Sequence, residues 1–246
     1  SCLSNREVLL KNIAIEPEVI DLIQFLNKSG AKIRFISKRS ILIKGVKMLK
    51  GIRYKIMPDR IEAGTYIIAS AITNSSLILN NLFINHIKNI TNILKKIGLK
   101  FKILSSTSIK VIPNKLRPIK VGTVPYPGFP TDMQAQLMTL LTLTKGNSEI
   151  KEDIFENRFM HVLELQRMGA KINIKNNKAK IIGTNKLSGA QVMATDLRAS
   201  VCLVLAGLVA KGKTVINRVY HLERGYEGLV KKLKKCGAKI KIINAW

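Results

Sequence analysis

The sequence predicts an α/β protein built from a repeated strand–helix unit, with apolar helices at the centre and sheets outside. Three observations carry this. One helix ending is written four times: Gly30-Ala31-Lys32-Ile33, Gly98-Leu99-Lys100-Phe101, Gly169-Ala170-Lys171-Ile172 and Gly237-Ala238-Lys239-Ile240, at intervals of 68, 71 and 68 residues. A period this long marks one folding unit copied several times. An aspartate opens a helical pattern 39, 37 and 41 residues before the last three endings, at Asp59, Asp132 and Asp196. The helices that follow are apolar on most sides, with Leu137, Leu140, Leu141 and Leu143 in one and Val201, Leu203, Val204 and Leu205 in another. A helix apolar all round belongs in the interior.

Each element follows in order. The first copy lacks the opening helix. It starts near Val8 with a strand and continues through Glu16-Pro17-Glu18, where proline suits a first helical turn. The second opens at Pro58-Asp59, with a helix over 61–72. The third opens at Thr131-Asp132, with a helix over 133–144. Residues 171–174 and 179–182 alternate like the two arms of a hairpin. In the fourth, a helix over 197–210 is broken by Gly212, a strand covers 214–217, and a second helix over 224–235 puts Leu229 and Leu233 on one face. Gly237 ends that helix, because a residue without Cβ tolerates a left-handed cap. A strand over 239–243 is expected next, completed by a strand from elsewhere. The domains are therefore 57–246, three units around buried parallel helices, and 1–56, the remnant of a second, similar domain. The first residue is Ser1 rather than Met, and a chain cut from a longer one is expected.

Composition narrows the function. No apolar run reaches the roughly 18 residues that span a bilayer. The longest, 201–210, reads as a buried helix, so no membrane association is expected. Cys2, Cys202 and Cys236 show no paired spacing, and they suit a reducing cytoplasm better than a disulfide framework or a zinc site. His86, His161 and His221 show no ligand spacing, so neither a metal nor another cofactor is expected. The net charge of +27, from 42 Lys and Arg against 15 Asp and Glu, suggests a nucleic-acid partner. The lysines are dispersed, however, without aromatic interleaving or an RNA-binding signature. Over-use of Lys, Ile and Asn throughout the chain accounts for the charge, and no specific nucleic-acid site is expected. A non-catalytic basic remnant binding RNA or a protein partner is the alternative.

Four segments are distinctive: Gly128-Phe129-Pro130-Thr131-Asp132-Met133-Gln134-Ala135-Gln136; Ile154-Phe155-Glu156-Asn157-Arg158-Phe159-Met160-His161-Val162; the run from Leu187 through Ala194-Thr195-Asp196-Leu197-Arg198 to Ser200; and Tyr220-His221-Leu222-Glu223-Arg224-Gly225-Tyr226-Glu227. In this order and spacing the chain resembles the UDP-N-acetylglucosamine 1-carboxyvinyltransferases of the enolpyruvyl transferase family. The resemblance implies an inside-out α/β barrel of six βαβαββ units in two domains, with substrates in the cleft between them. Three complete units and part of a fourth stand here. The missing N-terminal half of such an enzyme carries a loop with a proton-donating cysteine and further phosphate-binding cations.

The implied reaction moves the enolpyruvyl group of phosphoenolpyruvate onto the 3′-hydroxyl of UDP-N-acetylglucosamine and releases phosphate. It opens peptidoglycan synthesis in the cytoplasm, and with it cell wall biogenesis, cell shape and cell division. By the resemblance, Asp132 is the base or proton acceptor beside the attacking hydroxyl. Ile154 and Arg158 touch the nucleotide-sugar, Asp196 and Arg198 line the cleft, and Arg224 holds the phosphate or carboxylate of phosphoenolpyruvate. Glu16, Glu18 and Arg60 match charged cleft or hinge positions. On spacing alone, each of Asp59, Asp132 and Asp196 is also a helix cap that accepts backbone N–H bonds. The chain by itself is expected to be inactive or nearly so, with a separate N-terminal half as a possible partner.

Overall fold

The computed structural model describes residues 1–184 and 186–243. The chain divides into two compact units, the first Ser1–Pro58 and the second beginning at Asp59. In the first unit, β1 (Glu7–Lys11), α1 (Pro17–Lys28), β2 (Lys32–Ser37) and β3 (Ser40–Lys44) follow in order. The three strands form an antiparallel sheet in the order β1-β3-β2. Pro17 stands in the first turn of α1 with Glu18 beside it, where fixed φ and negative charge both favour a helix start. Ile23, Ala31, Ile33, Ile41 and Ile43 make a small separate core.

The second unit continues with α2 (Arg60–Ile72), β4 (Leu77–Leu79), α3 (Lys88–Ile97), β5 (Lys100–Ser105) and β6 (Ser108–Ile112). Next come β7 (Lys120–Gly122), α4 (Gln134–Thr142), β8 (Asn147–Lys151), α5 (His161–Arg167), β9 (Lys171–Lys175) and β10 (Lys178–Ile182). The last elements are β11 (Gln191–Met193), α6 (Leu197–Gly207), β12 (Val215–Asn217) and α7 (Leu229–Lys235). The strand order β4-β6-β5 recurs as β8-β10-β9, antiparallel throughout, and β7 adds to β8 in parallel. β11 and β12 form a short parallel pair.

Helices α2, α4 and α6 contact one another at the centre. Every residue of α4 is buried, as are most of α2 and α6, so the apolar helices do lie inside. Among the described residues the sheets remain separate, and none closes into a barrel of the kind the resemblance implied. Two expectations are corrected. The helix expected over 224–235 begins only at Leu229. The preceding chain forms a 3₁₀ turn, Val219–Arg224, and Gly228 sits at φ +59°, outside helical space. Residues 239–243 pair with no strand among the described residues. Alternating side chains do not make a strand without a ladder partner. No described helix is long and apolar enough to cross a membrane.

The four repeated endings share one hydrogen-bond pattern. Gly30, Gly98, Gly169 and Gly237 have φ of +100°, +125°, +92° and +93°. The next residue in each, Ala31, Leu99, Ala170 and Ala238, donates its N–H at 3.0 Å to the carbonyl of Leu26, Leu94, Leu165 and Leu233. Each glycine N–H also bonds the carbonyl three residues back. Together these are Schellman caps with their apolar contact. The glycines are not equally replaceable. A Cβ on Gly98 would lie 2.4 Å from the backbone oxygen of Lys115, whereas at Gly169 nothing stands within 4 Å. Gly169→Ala should cost roughly 1–2 kcal/mol of stability from the left-handed backbone alone. Gly98→Ala should cost about 2–4 kcal/mol because overpacking is added. Urea unfolding of both variants checks the difference, and equal losses would contradict it.

Candidate active site

Three aspartates occupy equivalent places in the sequence but do different things. Asp59 caps α2, its carboxylate accepting the N–H of Ile61 at 2.7 Å and of Glu62 at 3.1 Å. Asp196 caps α6 in the same way, from Arg198 N–H at 2.7 Å and Ala199 N–H at 3.1 Å. Asp132 caps nothing. It lies in the 3₁₀ turn Thr131–Met133 that precedes α4, and that turn has no side-chain cap. Its Oδ1 instead accepts from Arg158 Nη2 at 2.9 Å and from Nε and Nη2 of Arg198. Oδ2 has no partner among the described residues. The Asp132 side chain keeps 36 % exposure, against 17 % for Arg158 and 33 % for Arg198.

The surroundings fix this cluster. Gly128 permits the tight turn before it, since a Cβ there would fall 2.5 Å from the side chain of Val124. The Gly128 carbonyl accepts from the Asn89 side chain at 2.6 Å, which ties the turn to α3. The Arg158 guanidinium stacks 4.6 Å from the Phe155 ring centre. Burial and the neighbouring Arg198 push Arg158 below the ordinary arginine value, while Asp132, Glu152 and Asp196 oppose the fall. Two guanidinium groups share one carboxylate oxygen, so positive charge is in excess there. That excess suits an anion.

The structure thus brings Asp132, Arg158 and Arg198 into contact, with Asp196 holding the helix start that carries Arg198. Ile154 is half-buried, and its N–H donates to Glu152 Oε1 at 3.0 Å. Arg224 ends the 3₁₀ turn Val219–Arg224 and is exposed, with no ion pair among the described residues. Its segment is anchored nearby. The Tyr226 hydroxyl lies 2.9 Å from Thr65 Oγ1 and accepts from Gln136 Nε2 at 3.3 Å, which links it to α2 and α4. Burial pushes Tyr226 up to about 12. Arg60 is buried at the start of α2, its guanidinium 5.7 Å from the Tyr126 ring centre. Glu16 and Glu18 belong to the first unit, at the head of α1, Glu16 half-buried and Glu18 exposed. Cys202 is buried inside α6, and Cys236 is exposed before Gly237. Among the described residues no group of three His, Cys, Asp or Glu could hold a metal ion.

Sequence reasoning missed two buried groups beside this cluster. Glu152, only 3 % exposed, follows β8 directly and accepts four hydrogen bonds. An acid placed just ahead of the Ile154–Val162 motif, in a chain with so few, was the available signal. His161 heads α5, also 3 % exposed, and its Nε2 has no partner among the described residues. Burial is the main reason its pKa falls to about 4, with Asp196 pulling it up and Arg158 pushing it down. An unfolded histidine titrates near 6.5. Between those values the unfolded chain holds the extra proton, so the stability from the neutral imidazole is full above about pH 6.5 and is lost as pH falls toward 4. His161→Gln should remove about 2 kcal/mol of the stability loss between pH 7 and pH 5. Urea unfolding at both pH values measures it, and an unchanged loss in the variant would contradict the assignment.

Comparison with known proteins gives the family of the chain. The sequence pattern of the EPSP synthase (3-phosphoshikimate 1-carboxyvinyltransferase) family matches residues 1–233. The UDP-N-acetylglucosamine 1-carboxyvinyltransferase of Pelagibacter ubique is 54% identical over 244 residues, covering 99% of this chain and 58% of the relative. The UDP-N-acetylglucosamine 1-carboxyvinyltransferase 1 of Clostridium acetobutylicum is 50% identical over 240 residues, covering 98% and 57%. The chain therefore spans under two thirds of the length of these curated relatives. Among solved structures, the enolpyruvyl transferase NikO from Streptomyces tendae superposes with a TM-score of 0.87 at 26% identity, covering 98% of this chain and 57% of that one. EPSP synthase from Acinetobacter baumannii shares the fold, with a TM-score of 0.73 at 17% identity over 98% of this chain and 59% of that one. A repeated α/β fold with its helices inside, a match along almost the whole sequence and these close relatives lead to one conclusion: the chain belongs to the EPSP synthase family of carboxyvinyltransferases.

Proposed function

We propose that this chain supplies part of an enolpyruvyl transfer site, moving the enolpyruvyl group of phosphoenolpyruvate onto the 3′-hydroxyl of UDP-N-acetylglucosamine with release of phosphate. The observation that carries the reading is Asp132, which leaves the capping role of its two counterparts and faces two arginines instead. Asp132 takes the hydroxyl proton through Oδ2, while Arg158 and Arg198 hold its other oxygen and fix its direction. The alkoxide adds to C2 of phosphoenolpyruvate as a proton goes to the methylene carbon, and loss of phosphate from C2 together with a proton from the new methyl group restores the double bond. Arg224 binds the phosphate or carboxylate through its planar fork. Ile154 and Arg158 touch the nucleotide-sugar, and Asp196 and Arg198 line the site. Glu16, Glu18 and Arg60 remain proposed cleft or hinge positions.

In this reading the chain holds three complete units over 57–246, with residues 1–56 as the last part of a further domain. The work is the first committed step of peptidoglycan synthesis, in the cytoplasm. The proton donor and further substrate contacts come from a segment matching the rest of the relatives' length. Loss of a general acid alone costs about 10²–10⁴-fold. The 246-residue chain alone should therefore release phosphate from the two substrates at a rate near background. Supplying that segment from the Pelagibacter ubique relative should raise the rate by about 10²-fold or more. No gain on complementation, with RNA binding that the nucleotide-sugar does not compete away, would favour the basic-remnant alternative.

A further inference from the structure

Glu152 is a carboxylate placed where carboxylates are rarely found. It is 3 % exposed, and both of its oxygens are occupied. Oε1 accepts from the Thr123 hydroxyl at 2.8 Å and from the N–H groups of Ile154 at 3.0 Å and Phe155 at 3.2 Å. Oε2 accepts from the Thr131 hydroxyl at 2.9 Å. The Thr123 hydroxyl in turn accepts the Asp153 N–H at 3.0 Å, and the Glu152 N–H is spent on the Asn177 carbonyl at 2.8 Å. The acid is thus welded to the end of β8 on one side and reaches two separate loops on the other.

Those two loops are the ones that matter. Thr131 directly precedes Asp132. Ile154 and Phe155 begin the segment that carries Arg158, and the Phe155 ring lies against the Arg158 guanidinium. Asp132 and Arg158 are 26 residues apart and meet at 2.9 Å. Among the described residues no strand pairing joins the turn at Thr131–Met133 to the segment at 154–158. A single group accepting from both sides sets their spacing. A carboxylate suits this because it accepts on both oxygens at once. Reacting groups must be held within about half an ångström of their working geometry by such supports.

We propose that Glu152 is a positioning residue that fixes Asp132 against Arg158 by bridging the Thr131 turn to the 154–155 backbone. Its importance for turnover rests on the enolpyruvyl reading above, but its geometric role does not. Uniformly ¹⁵N-labelled chain, at pH 6 and low temperature, reports Arg158 as guanidinium N–H signals, assigned by their loss in Arg158→Lys. Held against Asp132, these signals are separate and slowly rotating. Thr131→Val removes only the hydroxyl link and should collapse them, as should Glu152→Ala. Glu152→Gln should retain them, since its amide oxygen keeps three donors and its NH₂ can donate to the Thr131 hydroxyl. Thermal unfolding in parallel identifies which variants are folded, and if Glu152→Ala unfolds, Thr131→Val decides. Unchanged Arg158 signals in folded Thr131→Val, or collapse in folded Glu152→Gln, would overturn the proposal. Failure of the enolpyruvyl reading registers elsewhere, as complemented chain that releases no phosphate while the Arg158 signals still respond.

Discussion

Asp132→Asn should lower turnover of the complemented chain by about 10²–10⁴-fold while leaving the fold intact. Asparagine matches the shape, and its carbonyl can still accept from Arg158 and Arg198. What it loses is the ability to take a proton, and this is the step assigned to the group. It also removes the one negative charge that, among the described residues, directly contacts both guanidinium groups. An anionic substrate should then bind as well or better, so the loss falls on kcat rather than KM. Stability should move little, because among the described residues no backbone N–H depends on this carboxylate. Asp59 supplies the control. Asp59→Ala should cost about 1 kcal/mol of stability through its lost cap and leave turnover of the folded protein unchanged. Initial rates of phosphate release and urea midpoints on both variants make the test. Near-normal turnover in Asp132→Asn would return that residue to a purely structural role.

Leu137→Ala should be the most destabilising single change in the second unit, at about 3–5 kcal/mol. Leu137 is fully buried in α4, between the helices and sheets that surround it. α4 contacts α2, α6, β8 and β10, and Asp132 sits in the turn immediately before it. With neighbours on every side, the cavity left by three lost carbons has no mobile wall to close it. The urea midpoint should fall with the slope unchanged, because the surface exposed on unfolding stays nearly the same. The separate core of the first unit should not respond. A loss below about 1 kcal/mol would mean that the interior rearranges around α4, against the central place given to it here.

The sequence declared some parts of this molecule and concealed others, for physical reasons. Asp196 caps α6, so the expected start at Leu197 is the observed one. Gly30, Gly98, Gly169 and Gly237 mark real helix ends because a left-handed backbone selects glycine directly. The hairpin of β9 and β10 was readable because both of its strands are local. The helix expected from Arg224 failed because helical spacing ran on through Gly225 and Gly228, where the backbone turns away. At the site, the period placed Asp132 in the slot of Asp59 and Asp196. Only the fold turns its carboxylate toward Arg158 and Arg198, residues 26 and 66 positions away. Glu152 and His161 were missed for a related reason. A buried acid or imidazole is spelled like an exposed one, and its partners come from other elements.

The four Leu-to-Gly closing turns have a consequence for ancestry. Both hydrogen bonds and the apolar contact of each lie within the same short stretch, so every helix leaves its unit in a direction set by local chemistry. Head-to-tail gene duplication therefore needs no newly invented joint. Any added copy would carry its own instruction for where to send the chain, and substitutions elsewhere in a unit could accumulate without misdirecting the next.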